Sequence, residues 1–478
     1  MINLSDLKKV HFTGIKGVGM TALACIGKDL GWQISGSDSS EKFVTDEVLA
    51  SKGIRWEFGF DPDQISLEKP ELVIYTAAHD GAKNPQVLMA KKLKIPILSQ
   101  GEALGLISKT KKNRISIAGV GGKTTTTAML ATVLEHCGMQ PSYMVGAGKI
   151  PSLGFCGKYD LQGDTFITEA DEYPCSSSDK RPKFYYQDPN ILILPNLAFD
   201  HPDIYHCEAE TLKVFEDLII KMPSESLIIA NGECEMIKTL LNSTQKRVIY
   251  YGFSEKNEIV IKNQIFHLGK TGFEIQSNRH TQPFAINLAG DMNVANATAV
   301  IIAARYLNIP DYQIIKGLKQ YKGVARRMEL VAKYKTTILM DDYAHHPDEI
   351  KASLKTIKSI YKNRQIIVIF QPHTFSRTKA LFDQFSLSFN DCDKVLITNI
   401  YGSAREKMDN SISSSQLVEK INEISKNAVY IKNYGGFLDY MKEINVKNTV
   451  LVTMGAGDIF SWHGAMTGEI KTCYDRWI

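Results

Sequence analysis

The chain is 478 residues long, with 56 Lys and Arg against 52 Asp and Glu for a formal charge of +4. That length exceeds one ordinary hydrophobic core and implies two to four domains, of which three is the reading taken, and the balanced charge without an extended basic run argues against a nucleic-acid backbone binder. Eight cysteines without a Cys-x-x-Cys pair fit a reducing cytoplasm, and no signal-peptide pattern or apolar run of the roughly 18–20 residues that cross a bilayer is present.

Residues 9–13 read as an apolar strand running into Gly14-Ile-Lys-Gly17-Val-Gly19-Met20. A helix to Leu30 follows, then a second strand, 33–37, that ends at Asp38. Strand, glycine turn, helix, strand and acid is the opening of a doubly wound nucleotide-binding fold. Such a turn either cradles a diphosphate or simply lets the helix pack closely on the strand. Read alone, it suits a nicotinamide dinucleotide. Strands at 71–76 and 95–98 complete a domain over residues 1–107, and the polar stretch Ser108-Lys-Thr-Lys-Lys-Asn113 reads as a linker.

Residues 114–118 read as a buried strand that passes through Gly119-Val-Gly121-Gly122-Lys123-Thr124-Thr125 into a helix over 125–137. Glycine-loop N–H groups and the positive end of that helix can hold phosphate oxygens while Lys123 spans the outer phosphates and the Thr124 hydroxyl ligates Mg²⁺. The usual phosphate loop has a glycine where this chain has Ile117. Strands at 165–168 and 191–194 run into Glu169-Ala-Asp171-Glu172 and into Pro195-Asn196-Leu-Ala-Phe-Asp200-His201. Ligand groups gather at such strand ends. Mg²⁺ takes oxygen ligands, which Thr124 and Glu169 supply. His201 suits a second metal or a phosphate, or else caps a helix starting near Pro202. Residues 246–287 alternate as an antiparallel insert would, and Gly290-Asp-Met-Asn293-Val-Ala-Asn296 opens a helix that closes a central domain over 108–322. From residue 323, strands at 336–341, 365–370, 394–398 and 448–453 alternate with helical patterns, which predicts a third, mostly parallel sheet over 323–478.

The ordered series of Gly14–Met20, Gly36-Ser-Asp38, Gly122–Thr127, Glu169–Glu172, Asp200-His201, Asn293, Asn296, Arg326-Arg-Met-Glu329, Asp342-Tyr-Ala-His-His-Pro347, Gln371–Thr378 and Gly455–Asp458 resembles the Mur ligases. These are ATP-dependent enzymes that add amino acids to the muramyl carboxylate during bacterial wall synthesis. The resemblance covers essentially the whole chain. It implies an α/β fold of three domains: an N-terminal Rossmann-like domain, a central ATPase-like parallel sheet with a phosphate loop, and a C-terminal Rossmann-like domain. It also replaces the nicotinamide reading. The Gly14, Gly17 and Gly19 turn would approach the diphosphate of a UDP-sugar, and Asp38 would meet its sugar or ribose hydroxyls. Gly119, Gly121, Gly122, Lys123, Thr124 and Thr125 would hold ATP, with Asn293, Asn296, Arg327 and Asp342 on the adenine nucleotide. Thr124 and Glu169 would hold one Mg²⁺ and His201 would assist a second. His345, His373 and Arg377 would face the amino acid or an acyl-phosphate, leaving His346 to pack beside Pro347. The alanine-adding branch implies UDP-N-acetylmuramate and L-alanine as substrates, and closure about linkers near 108–113 and 320–325. Two departures stand out. Val120-Gly121 replaces a Thr-His pair in the phosphate loop, and Glu172–Lys183 is similar to the branch that adds a whole murein tripeptide.

Overall fold

A computed structural model describes residue 4 and residues 6–176, 179–267, 269–277, 280–402 and 406–476. Residues 1–3, at the start of the first expected domain, and Ser177 and Ser178, within the 172–183 segment, lie outside the described residues.

Three sheets organise the chain. The first is all parallel, with Lys9–Thr13 between Gln33–Asp38 and Leu72–Tyr75, and Glu57–Phe58 and Ile97–Ser99 at the edges. Chain order reverses on either side of Lys9–Thr13, so the Gly14 turn sits at the switch point, where such sheets open a crevice. Val10, Phe12, Leu72 and Ile74 are buried beneath the helix Val18–Asp29, which turns Ala22, Leu23 and Ile26 inward.

The second sheet has ten strands. Its phosphate-loop strand, Asn113–Ala118, lies between Thr165–Ala170 and Ile191–Leu194, all three parallel. This pairing is what brings Glu169 to one side of the loop and Asn196 to the other. Leu227–Asn231 and Arg247–Gly252 continue the sheet in parallel, and only from Ile259–His267 onward does it become antiparallel, through Lys270–Ser277 and His280–Ile286. The expected insert at 246–287 is thus an extension of the main sheet whose first two strands are parallel. Leu227–Asn231 opens on the unbroken apolar run Leu-Ile-Ile-Ala, the composition of a strand covered on both faces, which gives no alternation to read.

The third sheet runs Glu329–Tyr334, Thr337–Asp342, Thr449–Met454, Gln365–Phe370, Lys394–Ile397, Ala428–Tyr430, with only the first strand antiparallel to its neighbour. The four expected strands form its centre.

The chain divides into two compact units. The first holds residues 1–199, 207–288 and 292–324, and the second 200–206, 289–291 and 325–478. Inside the first unit, residues 109–112 are not a free tether. Lys111 is buried with its ammonium on the Asp160 carbonyl, Asn190 Nδ2 donates to Lys112 O at 2.7 Å, and Thr110 meets the Tyr159 hydroxyl at 2.8 Å. A side chain at Gly105 would strike the Tyr186 carbonyl, and one at Gly157 the Ala22 carbonyl. The first two sheets therefore share an apolar core, and helices beside the first sheet meet backbone of the second region. This argues against a hinge at 108–113.

Candidate active site

The strand Asn113–Ala118 hands over to the helix Lys123–His136 through a loop in which Gly119 (φ 129°) and Gly122 (φ 84°) adopt left-handed backbone. Only glycine takes those conformations without strain, and a Cβ at Gly119 would also collide with the Asn196 carbonyl. The Asn196 side chain braces the loop by accepting from Gly121 N–H at 2.7 Å. Lys123 Nζ donates to the Gly119 carbonyl and to both Glu172 oxygens, at 2.9 and 3.1 Å. Burial works against the ammonium, yet Glu172, Asp171 and Glu169 together hold its pKa above the ordinary lysine value. Thr124 Oγ1 donates to Glu169 Oε2 at 3.0 Å, and Glu169 Oε1 accepts from Gly146 N–H at 2.6 Å. Thr125 is buried in the first helical turn. Asn296, on the helix Asp291–Tyr306, brings its carboxamide against Gly122, and its Nδ2 is buried without a hydrogen-bond partner. Asn293 lies one turn earlier. A buried orphan donor beside a phosphate loop fits a nucleotide, and the Thr124 hydroxyl with the Glu169 carboxylate is the oxygen-only set that Mg²⁺ prefers. Glu172, Asn196 and Lys183 were not among the expected site residues. For Glu172 and Asn196 the hint in the sequence is their place just past a strand end.

At the glycine turn, Gly14 N–H donates to Ser37 O at 2.8 Å, and Gly17 starts the helix Val18–Asp29 with nothing closer than 3.9 Å to where its side chain would stand. Backbone open in this way can approach a ligand. Gly19, by contrast, packs against Gln100 and Met144, so its smallness serves packing. Asp38 is buried, and its carboxylate accepts from Lys16 N–H and Ser39 N–H, both at 2.7 Å, with His79 Nε2 at 3.4 Å. The acid thus holds the turn in shape.

In the second unit Arg377, on the short helix Phe375–Ala380, gathers several expected residues. Its Nε donates to Asp200 Oδ1 at 2.8 Å, Nη1 to the His373 carbonyl at 2.7 Å, and Nη2 lies 3.3 Å from His201 Nδ1. Arg377 and Asp200 are each 4% exposed. Burial pushes the Asp200 carboxyl up, but Arg377, His201 and His345 overcome it and hold it well below the carboxylate range. Burial, reinforced by Arg377, pushes His373 well down. His345 is lowered to about 4 by burial against the pull of Glu349. His345 Nδ1 is 2.9 Å from the Tyr343 carbonyl, so that nitrogen carries the proton. His201 has φ 58° and opens a turn, with Ile204 and Tyr205 N–H on its carbonyl. The next helix starts at Glu208, not near Pro202, because the turn intervenes.

Asp342 is buried with its pKa raised to about 6 by burial, although Ser353 Oγ donates to it at 2.5 Å. The Arg327 guanidinium stands over the Tyr343 ring at 4.7 Å, with Glu349 4.0 Å away. Arg326 is instead a strut, donating to Asp341 and to the Gly455 and Gly457 carbonyls. His346 caps the helix Pro347–Ile360 in a reciprocal box with Glu349, a more specific task than packing beside proline.

Three family profiles match in succession: the Mur ligase family catalytic domain at residues 9–112, the Mur ligase middle domain at 117–304 and the Mur ligase glutamate ligase domain at 326–457. A UDP-N-acetylmuramate–L-alanine ligase of Clostridium kluyveri is 37% identical over 95% of this chain and 96% of its own length. The chain belongs to the Mur ligase family. Among solved structures, the UDP-N-acetylmuramate-alanine ligase of Thermotoga maritima superimposes with a TM-score of 0.78 at 27% identity, over 97% of this chain and 99% of that one. A murein peptide ligase of Psychrobacter arcticus gives a TM-score of 0.71 at 21% identity, over 97% and 98% of the two chains, which is a likeness of fold. Among the described residues no helix is long and apolar enough to cross a membrane.

Proposed function

We propose that the protein joins L-alanine to the carboxylate of UDP-N-acetylmuramate at the expense of ATP, as a step in building the bacterial wall precursor in the cytoplasm. The observation that carries this reading is a phosphate loop with a Thr124–Glu169 oxygen pair in a chain that is full-length similar to relatives of that name. Residues 1–107 hold the UDP-sugar at Gly14 and Gly17, residues 108–322 hold ATP, and residues 323–478 supply the groups for the amino acid.

The sugar carboxylate attacks the γ-phosphorus, ADP leaves, and an acyl-phosphate forms. The neutral amine of alanine then attacks the acyl carbon, and inorganic phosphate departs from the tetrahedral intermediate. Negative charge grows on oxygen in both steps, so fixed positive groups contribute most. Lys123 leaves Glu172 for the γ-phosphate, and the Gly122 end of the helix faces the phosphates with its N–H groups. Asn293 and Asn296 hold the nucleotide, joined by Arg327 and Asp342. Arg377 steers the amino-acid carboxylate or the acyl-phosphate, a task suited to a planar fork. His345 and His373, kept neutral by burial, leave the amine unrepelled. Mg²⁺ held by Thr124 and Glu169, with His201 assisting a second ion, would offset phosphate charge.

Phosphate release with UDP-N-acetylmuramate and ATP, scanned over single amino acids and the murein tripeptide, tests the reading. L-alanine should give the highest kcat/KM. Preference for the tripeptide would move the protein to the other branch, which the Glu172–Lys183 segment alone favours.

A further inference from the structure

The segment from Asp171 to Tyr186 carries charges that the proposed reaction does not use. It is a narrow loop closed by a Pro174–Pro182 antiparallel bridge, with Cys175 N–H on the Arg181 carbonyl at 3.0 Å and Lys183 N–H on the Tyr173 carbonyl at 2.8 Å. That closure sets Lys183 beside the strand end bearing Glu169, Asp171 and Glu172. Its Nζ donates to Asp171 Oδ2 at 2.6 Å. Lys183 is 13% exposed, whereas Asp171 is 42% exposed, so the pair stands at an opening. Among the described residues Asp171 is the one hydrogen-bond partner of the Lys183 ammonium, which leaves two of its three donors for a ligand.

The loop also reaches the first sheet. Ser176 packs against Gly81, just past the strand Leu72–Tyr75, and Cys175 and the Lys183 carbonyl pack against Gly101. The loop therefore spans from the carboxyl edge that holds the Gly14 turn to the carboxyl edge that holds Lys123. A nucleotide sugar with its diphosphate at Gly14 and its acid at the phosphate loop must run beside it.

Resting on the function proposed above, we propose that Lys183 recognises the carboxylate of the nucleotide-sugar acid, sharing its ammonium between Asp171 and the substrate while Lys123 serves the phosphates. Lys183 is then a specificity residue for an acidic sugar over a neutral one. A lysine that merely closed the loop would make no such distinction.

The test is calorimetric binding to the full chain of UDP-N-acetylmuramate and of UDP-N-acetylglucosamine, which lacks the carboxylate, for wild type, Lys183→Met and Lys183→Arg. Lys183→Met should weaken the acid about tenfold or more and the neutral sugar less than twofold, as expected for a lost charge-assisted hydrogen bond. Lys183→Arg should recover most of the loss. Equal weakening of both sugars, or none for the acid, overturns the proposal, and so does a wild-type protein that binds both alike. Wild type that binds neither sugar removes the functional reading itself, and this assignment with it.

Discussion

The two clusters of charge in this protein are built on opposite plans. Around the phosphate loop Lys123 pairs with Glu172 and Lys183 with Asp171, both lysines on flexible stems and both less buried than Arg377. Around Arg377 one guanidinium is shared among Asp200, the His373 carbonyl and His201, and it is almost wholly buried. A lysine on a flexible stem can exchange its acid for a phosphate with less structural change than a buried arginine can. An arginine that satisfies three neighbours at once is part of the architecture, so its ligand must come to it. The first cluster should therefore fail chiefly in turnover when broken, and the second in stability to a greater degree.

The largest expected effect is that of Lys123→Ala, which should lower kcat by about 10³-fold or more and, because Glu172 is left buried, also cost some stability, less than the loss of Arg377 does. A matching fall in stability would mean that Lys123 is structural, erasing the contrast. Next, Arg377→Ala should destabilise the fold by about 3–5 kcal/mol in denaturant unfolding, because Asp200 would be left buried without its cation. Arg377→Lys should restore only part of this, since an ammonium cannot reproduce the planar fork.

The pH dependence sharpens the same comparison. Asp342 has its folded pKa raised from 3.8 to about 6, so its contribution is full below pH 4 and is lost as pH rises through 6. His345 is lowered from 6.5 to about 4, so its contribution is full above pH 6.5 and is lost as pH falls through 4. The two oppose each other across one window. Asp342→Asn should thus stabilise the protein at pH 8 by about 3 kcal/mol and bring no gain at pH 4, with the reverse pattern for His345→Gln. Parallel pH profiles for wild type and both variants would contradict the burial argument.

The smallest effect concerns the first unit's interior. Gly105→Val should cost about 1–3 kcal/mol by forcing the helix Gln100–Ser108 off the Tyr186 carbonyl. A neutral result would show that the first two sheets give way at this seam, and would restore a hinge at 108–113.

Local pattern made some of this legible. The glycine turn, the phosphate loop and the four central strands of the third sheet announce themselves within ten or fifteen residues, because backbone conformation and apolar runs are local properties. The edge strand Glu329–Tyr334 does not, since its residues are half exposed and lack a buried face. The partners were harder still. Asn196 and Glu172 meet the phosphate loop only because their strands flank Asn113–Ala118, a pairing set by the sheet and not by spacing. Asp38 was readable as an acid at a strand end, but only the structure shows its oxygens taken by the Lys16 N–H of the turn and by Ser39 N–H.

The central claim is that the sugar carboxylate is activated by phosphoryl transfer at the Lys123 loop, and the path of its oxygen tests this most directly. UDP-N-acetylmuramate carrying ¹⁸O in both carboxyl oxygens would be turned over with ATP and L-alanine, and the released phosphate analysed by mass. Attack on the γ-phosphorus followed by amine attack on the acyl carbon delivers one ¹⁸O to each phosphate. Phosphate free of label would contradict the acyl-phosphate route, and with it the role given to Lys123.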